Sequence, residues 1–212
     1  MPRSAKTREA TKQETREALL VAGLAEFAAK GLDVPSLDAI CARAGFTRGA
    51  FYVHFKDRED FLVAVMERVF ASFLDAVIAT GDDAHDLTLT VERFADLVVG
   101  HQSVGIPQAF GIDIHRVLDA CARSVALRRR FVQLVQGGAA RVAAATRRGQ
   151  QAHALRDDVD PDALGSLLAL LALGVIAAVD TGIPVDAPAA KATVLRLLGA
   201  RRKPRRTERD LR

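Results

Sequence analysis

Tryptophan is absent from this 212-residue sequence, tyrosine occurs once, cysteine twice, and only 5% of residues are aromatic. With Ala and Leu abundant, little remains of the β-branched and aromatic patterning that strands use, so the chain reads as all-α. Cys41 and Cys121 lie far apart and form no C-x-x-C, which argues against a disulfide framework or a structural zinc site. No metal or other cofactor is expected. The polar start, Met1-Pro2-Arg3-Ser4-Ala5-Lys6, is followed by no apolar run, so no secretory leader is visible and the cytoplasm is the expected compartment.

Long apolar runs are also scarce, with one exception. Residues 163–179 carry no charge and lie between Asp162 and Asp180. At about 1.5 Å per residue they reach roughly 25 Å, short of a hydrocarbon core of roughly 30 Å. No membrane association is expected; a helix apolar all round belongs in a core or a subunit interface.

Half of the residues are hydrophobic and 26% are charged. That suffices for a real core in one large domain or two small ones and excludes general disorder. The net charge of +4 is unevenly spread: residues 1–12 sum to +3, residues 201–212 to +5, and the rest to −4. Basic ends on an acidic body suit a polyanion met at the periphery. For the C-terminal end, a solvated tail is the plainer reading.

Apolar periodicity predicts helices throughout. Leu20, Leu24 and Phe27 stripe a first helix over 13–30, stopped by Gly31. Ser36 caps a second that ends at Gly45, Thr47 a very short third, and Asp57 a long fourth to about Thr80. Further helices are expected over about 86–104, 108–121 and 124–151, the last weakened at Gly137-Gly138. Asp160-Pro161-Asp162 opens one that ends near Gly182, and a final helix covers 187–198.

The informative stretch is residues 36–56, SLDAICARAGFTRGAFYVHFK. Two short helices joined at Ala44-Gly45 have the dimensions of a helix-turn-helix, placed at about 35–54. Leu37, Ile40, Cys41, Phe51 and Phe55 face inward, leaving Thr47, Arg48, Gly49, Ala50, Tyr52 and His54 outward. Gly49 and Ala50 would let the helix backbone approach a surface closely. Arg48 suits guanine O6/N7, while hydroxyl and imidazole groups suit phosphates. Each has a plainer alternative: Thr47 as a cap alone, Tyr52 as a half-buried aromatic, His54 as a surface histidine.

Their joint order resembles the N-terminal DNA-binding domain of the TetR family. The matching residues are Gly31, Ser36-Leu37-x-x-Ile40-Cys41-x-x-Ala44-Gly45 and Thr47-x-Gly49-Ala50-Phe51-Tyr52-x-His54-Phe55-x-Asp57. The resemblance implies that Ser36 caps its helix and touches phosphate, and that Thr47, Arg48, Gly49 and Ala50 begin the base-reading helix. Tyr52 and His54 would contact phosphates, with Lys56 the basic residue beside the next helix. Gly23 departs from the family, which more often has alanine there.

The resemblance further implies a DNA-binding domain over 12–72 and a ligand-binding and dimerisation domain over 73–200. The ends, 1–11 and 201–212, would be flexible. The expected function is a ligand-responsive regulator, a repressor released from a double-stranded operator by a small-molecule effector. It would be homodimeric through the helices at about 161–181 and 187–198. For the effector site the sequence offers His101, Phe110, Asp113, His115 and Phe131, polar groups interspersed with apolar ones. His115 and Asp119 share a helix face, yet no third metal ligand stands at suitable spacing. The rival readings are a helical-bundle enzyme and a structural adaptor. No assembled nucleophile, paired-carboxylate or phosphate-loop set supports the enzyme, and an adaptor leaves the outward residues of 47–56 unexplained.

Overall fold

The computed structural model describes residues 3–78, 86–104 and 112–199, with the side chains of 10–78, 86–97 and 112–199. Every regular element among them is a helix: α1 (Arg3–Lys30), α2 (Leu37–Ala44), α3 (Arg48–His54), α4 (Arg58–Val77), α5 (Leu87–Val104), α6 (Ile114–Arg123), α7 (Val125–Gln151), α8 (Pro161–Asp180) and α9 (Ala187–Leu198). The chain is all-α, with a three-helix N-terminal unit, the long α4, and a helical second part.

Helix starts follow local chemistry. The side chains of Ser36, Thr47, Asp57, Ser124, Asp160 and Asp186 each accept the backbone N–H three residues on, relieving a donor the helix leaves unpaired. Gly31 and Gly45 take φ of 85° and 76°, which L side chains rarely adopt, and there α1 and α2 end.

Four expectations need correction or delimiting. The first helix begins at Arg3 rather than Gln13, so residues 3–11, expected as part of a flexible tail, are helical. No Gly or Pro interrupts that stretch, and its Ala, Lys, Arg and Glu are good helix formers. The sixth helix begins at Ile114 instead of Gln108; residues 105–111 and the tail 201–212 lie outside the described residues. The fourth ends at Val77 rather than Thr80. Helix α7 runs unbroken through Gly137 and Gly138. A Cβ on Gly138 would stand 3.3 Å from Leu74, so this glycine admits α4 closely.

Phe27, Phe51, Phe55 and Phe61 form the centre of the N-terminal core, with ring centroids of neighbouring pairs 4.8–6.0 Å apart. Truncating one such ring to alanine costs about 3–5 kcal/mol. The core continues into the second part through Ala120 and Cys121 of α6 and Leu127 of α7. A smaller cluster joins Leu87, Leu155, Leu164 and Leu198 at the far end. Helix α8, expected to be buried, packs on α7 but leaves Leu167 and Leu170 more than 60% exposed in the single chain.

Candidate nucleic-acid interface

Helices α2 and α3 meet at a tight turn in which Gly45 N–H donates to Ala42 O and Phe46 N–H to Cys41 O. Ile40, Cys41, Phe51 and Phe55 are buried beneath it. The Ser36 hydroxyl accepts from Ala39 N at 3.1 Å, and that of Thr47 from Ala50 N at 3.3 Å. Both hydroxyls remain at the surface, so capping accounts for one acceptor interaction and leaves the group exposed.

The outward face of α3 carries Arg48, Gly49, Tyr52 and Val53, all exposed, with Ala50 and His54 half-buried. Gly49 has no internal reason to be glycine: an added Cβ would meet only the Thr47 hydroxyl, at an ordinary 3.6 Å. Arg48 reaches Asp38 of α2 at 3.5 Å, and the Tyr52 side chain, one turn on, supports its charge together with Asp38. Tyr52 is about half exposed and meets Phe51 edge-on, so it belongs to the surface and not to the core. Burial, then Lys12 and Arg16, hold His54 below its ordinary imidazole value. Lys56 is exposed, while its backbone N–H donates to Asp60 at 3.0 Å. Val53 and Arg16 are not marked by the sequence pattern, and Lys12 only as part of the basic stretch 1–12. Only the fold shows that Val53 faces solvent and that α1 lies beside the end of α3.

The platform under this face is held by charge. Glu26, buried on α1, accepts from Lys30 at 2.7 Å and from Arg43 of α2 at 3.1 Å. The Lys30 hydrogen bond chiefly, against the opposing effect of burial, holds this carboxyl below the usual carboxylate range. Arg58 at the start of α4 donates to the carbonyls of Pro35 and Leu32 and lies over the Phe27 ring. The first turn of α4 is thereby tied to the segment that leads into α2.

A second link runs through α6. Its first N–H, of Ile114, is taken by the Asp180 carboxylate at the end of α8, at 2.5 Å. At its other end Arg123 pairs with Asp33, in the loop between α1 and α2, at 2.6 Å. Between α4, α5, α7, α8 and α9 lies a cavity of about 280 Å³, lined by Phe70, Phe73, Phe94 and Phe131 among many aliphatic side chains. Among the described lining residues, the only polar side chains are Thr90, Asp180 and Lys191. Leu32, from the same α1–α2 loop, reaches its wall.

The effector residues expected from sequence divide accordingly. Phe131 lines the cavity. Asp113 and His115 do not: Asp113 pairs with Arg116 at 2.8 Å and His115 is exposed, because this end of α6 turns its polar face to solvent. Phe110 and the side chain of His101 lie outside the described residues. Among the described residues no group of three or more His, Cys, Asp or Glu stands ready for a metal ion.

This geometry defines a helix-turn-helix domain on an all-helical second domain with an apolar cavity. Residues 19–65 match the family model described as bacterial regulatory proteins, tetR family. The chain is 42% identical over 55 residues to the transcriptional repressor BepR of Brucella suis, a stretch covering 26% of each chain. It thus aligns with about a quarter of that relative's length. The structure is similar to the SmeT–triclosan complex, at 26% identity and TM-score 0.66, over 86% of this chain and 88% of the other. It is also similar in fold to reduced NemR of Escherichia coli, at 20% identity and TM-score 0.71, over 89% and 100%. The helix-turn-helix domain of this chain is thus similar to that of the TetR family of bacterial regulators.

Proposed function

We propose that this protein is a homodimeric, cytoplasmic, sequence-specific DNA-binding regulator and not an enzyme. It acts as a repressor released from its operator by an apolar small molecule. The observation that carries the DNA-binding reading is the face of α3. Its glycine is not required by packing, its arginine is exposed, and its tyrosine and histidine flank them. In the major groove, Arg48 with Thr47, Gly49 and Ala50 would read bases, while Ser36, Tyr52, His54 and Lys56 would hold phosphates. SmeT, which this chain resembles, represses a multidrug efflux pump and has been solved with triclosan. Those facts support the repressor and effector parts of the reading.

Two recognition helices are needed to meet successive major-groove faces about 34–36 Å apart. The uncovered leucines of α8, with Leu197 of α9, supply an apolar surface for a second copy. The cavity suits an uncharged, largely hydrocarbon or aromatic effector, because burying a charge there without a partner is costly. Such a ligand, favouring one arrangement of α4 and α6, would shift the helix-turn-helix through Arg58 and Arg123. The same coupling free energy then works in reverse, so operator binding weakens effector binding by an equal factor.

Fluorescence anisotropy with duplexes from the region flanking the protein's own gene, across a salt series, tests the reading. Specific duplex should bind about 10³-fold or more tighter than random duplex. Equal affinity for both would contradict sequence-specific regulation.

A further inference from the structure

The described cations of the N-terminal domain mostly have partners already. Lys30 and Arg43 share Glu26, Arg48 has Asp38, Arg68 has Glu17, and Arg58 has two carbonyls. Lys12, Arg16 and His54 have no anionic partner among the described residues. Arg16 only stands over the Phe55 ring, at 5.2 Å. These three side chains nevertheless border one cleft, with Gln13 and Val53, between α1 and the C-terminal end of α3. A cluster of like charge without an acid is unfavourable in the free protein and becomes favourable when an anion enters.

We infer that this cleft is a phosphodiester subsite, in which Lys12 and Arg16 flank one DNA backbone oxyanion and His54 takes a proton from solvent as that oxyanion seats. The inference rests on the DNA-binding reading above and adds residues and a regulation to it. In the free protein the cleft favours neutral imidazole, since burial and the charges of Lys12 and Arg16 all oppose protonation. Among the described residues, those two side chains of α1 are the charged groups that act on His54; no described charged group of α3 or of the turn into α4 shifts it. A phosphate oxyanion between them reverses the local field and favours imidazolium. Whatever binds the protonated state better takes up protons on binding, so DNA affinity should rise as pH falls. The sign is fixed: the gain is present below the free-state titration and is lost above the bound-state one.

The test uses the full chain and a duplex selected from a random library, with affinities measured by anisotropy at constant ionic strength between pH 6 and 8. The parent should bind several-fold tighter at the acid end, the ceiling for one full proton being about tenfold per pH unit. His54→Gln should flatten that dependence. The double variant Lys12→Ala/Arg16→Ala should lower the slope of log K against log salt by about one, the share of a single phosphate. Circular dichroism at each pH confirms that the variants are folded. Duplex binding with a pH dependence that survives His54→Gln, or an unchanged salt slope in the double variant, would overturn the inference and leave the regulator reading intact. A titration of the DNA-free protein with inorganic phosphate, read at the His54 imidazole by NMR, separates the two sources of the anion. A large response to millimolar phosphate with pH-independent DNA binding would mark a free-anion site and overturn the backbone assignment. No binding to any duplex would overturn both readings.

Discussion

On α3 the residues facing solvent include Arg48, Gly49 and Tyr52 beside the single aliphatic Val53, whereas on α8 they include the three leucines Leu167, Leu170 and Leu171. Both helices carry residues that their own fold does not consume. The first set is suited to a hydrated, charged surface, and the second to an apolar one. The interiors differ in the same way. Beneath α3 lies a close-packed group of phenylalanine rings, while beneath α8 lies an open apolar cavity. A filled core fixes the geometry of a reading helix, and an unfilled one leaves room for a ligand to change the balance between two packings.

The sharpest way to break this contrast is at the crossing of α7 and α8. A Cβ on Gly165 would lie 2.4 Å from Ala139 O, a backbone atom that cannot give way cheaply. Gly165→Val should therefore cost about 3 kcal/mol or more, read as a lowered Tm. Next comes the uncovered face. Leu167→Asp with Leu170→Asp should leave the helical content unchanged but reduce the mass by light scattering to the 22.8 kDa monomer, with loss of operator affinity. Retained dimer mass would place the interface elsewhere.

Within the filled core, Gly23→Ala sets helix propensity against packing. Propensity alone would stabilise by about 1 kcal/mol. A Cβ there would stand 2.3 Å from the Phe61 ring, which Phe27, Phe51 and Phe55 hold in place. We expect a net destabilisation of about 1–2 kcal/mol by denaturant titration; a gain in stability would show that the ring can move. The smallest effect concerns Glu26. Its carboxyl titrates below its ordinary 4.5 when folded. The stability it contributes is therefore full above that value and is lost as pH falls through the folded one. Glu26→Gln should lower Tm at neutral pH and lessen the acid dependence seen in the parent.

What could be read from the sequence was local. Ser36, Thr47 and Asp57 announce their helices because each cap and its N–H are three residues apart. Gly31 and Gly45 announce turns because left-handed backbone favours glycine. The outward face of α3 was legible for the same reason, since its pattern spans only ten residues. The contacts that hold these elements to one another join distant positions: Asp180 with Ile114 inside the second domain, α1 with His54 inside the first, and Arg123 with Asp33 between the two. No periodicity encodes such pairs. Of the cavity, the apolar side is legible at Phe131, whereas the polar Asp113 and His115 do not reach it. The fold turns them to solvent or to Arg116 and builds the wall from phenylalanines and aliphatics.

The central claim, that α3 reads base sequence while its flanks hold the backbone, is tested most directly by comparing binding preferences across a duplex library. The parent, Arg48→Ala and Tyr52→Ala would be measured side by side. The account predicts that Arg48→Ala loses about 1–3 kcal/mol on the preferred sequence and relaxes discrimination at one base position. Tyr52→Ala should weaken all sequences alike. An Arg48→Ala variant that loses the same affinity on every duplex, with its preferences intact, would contradict it.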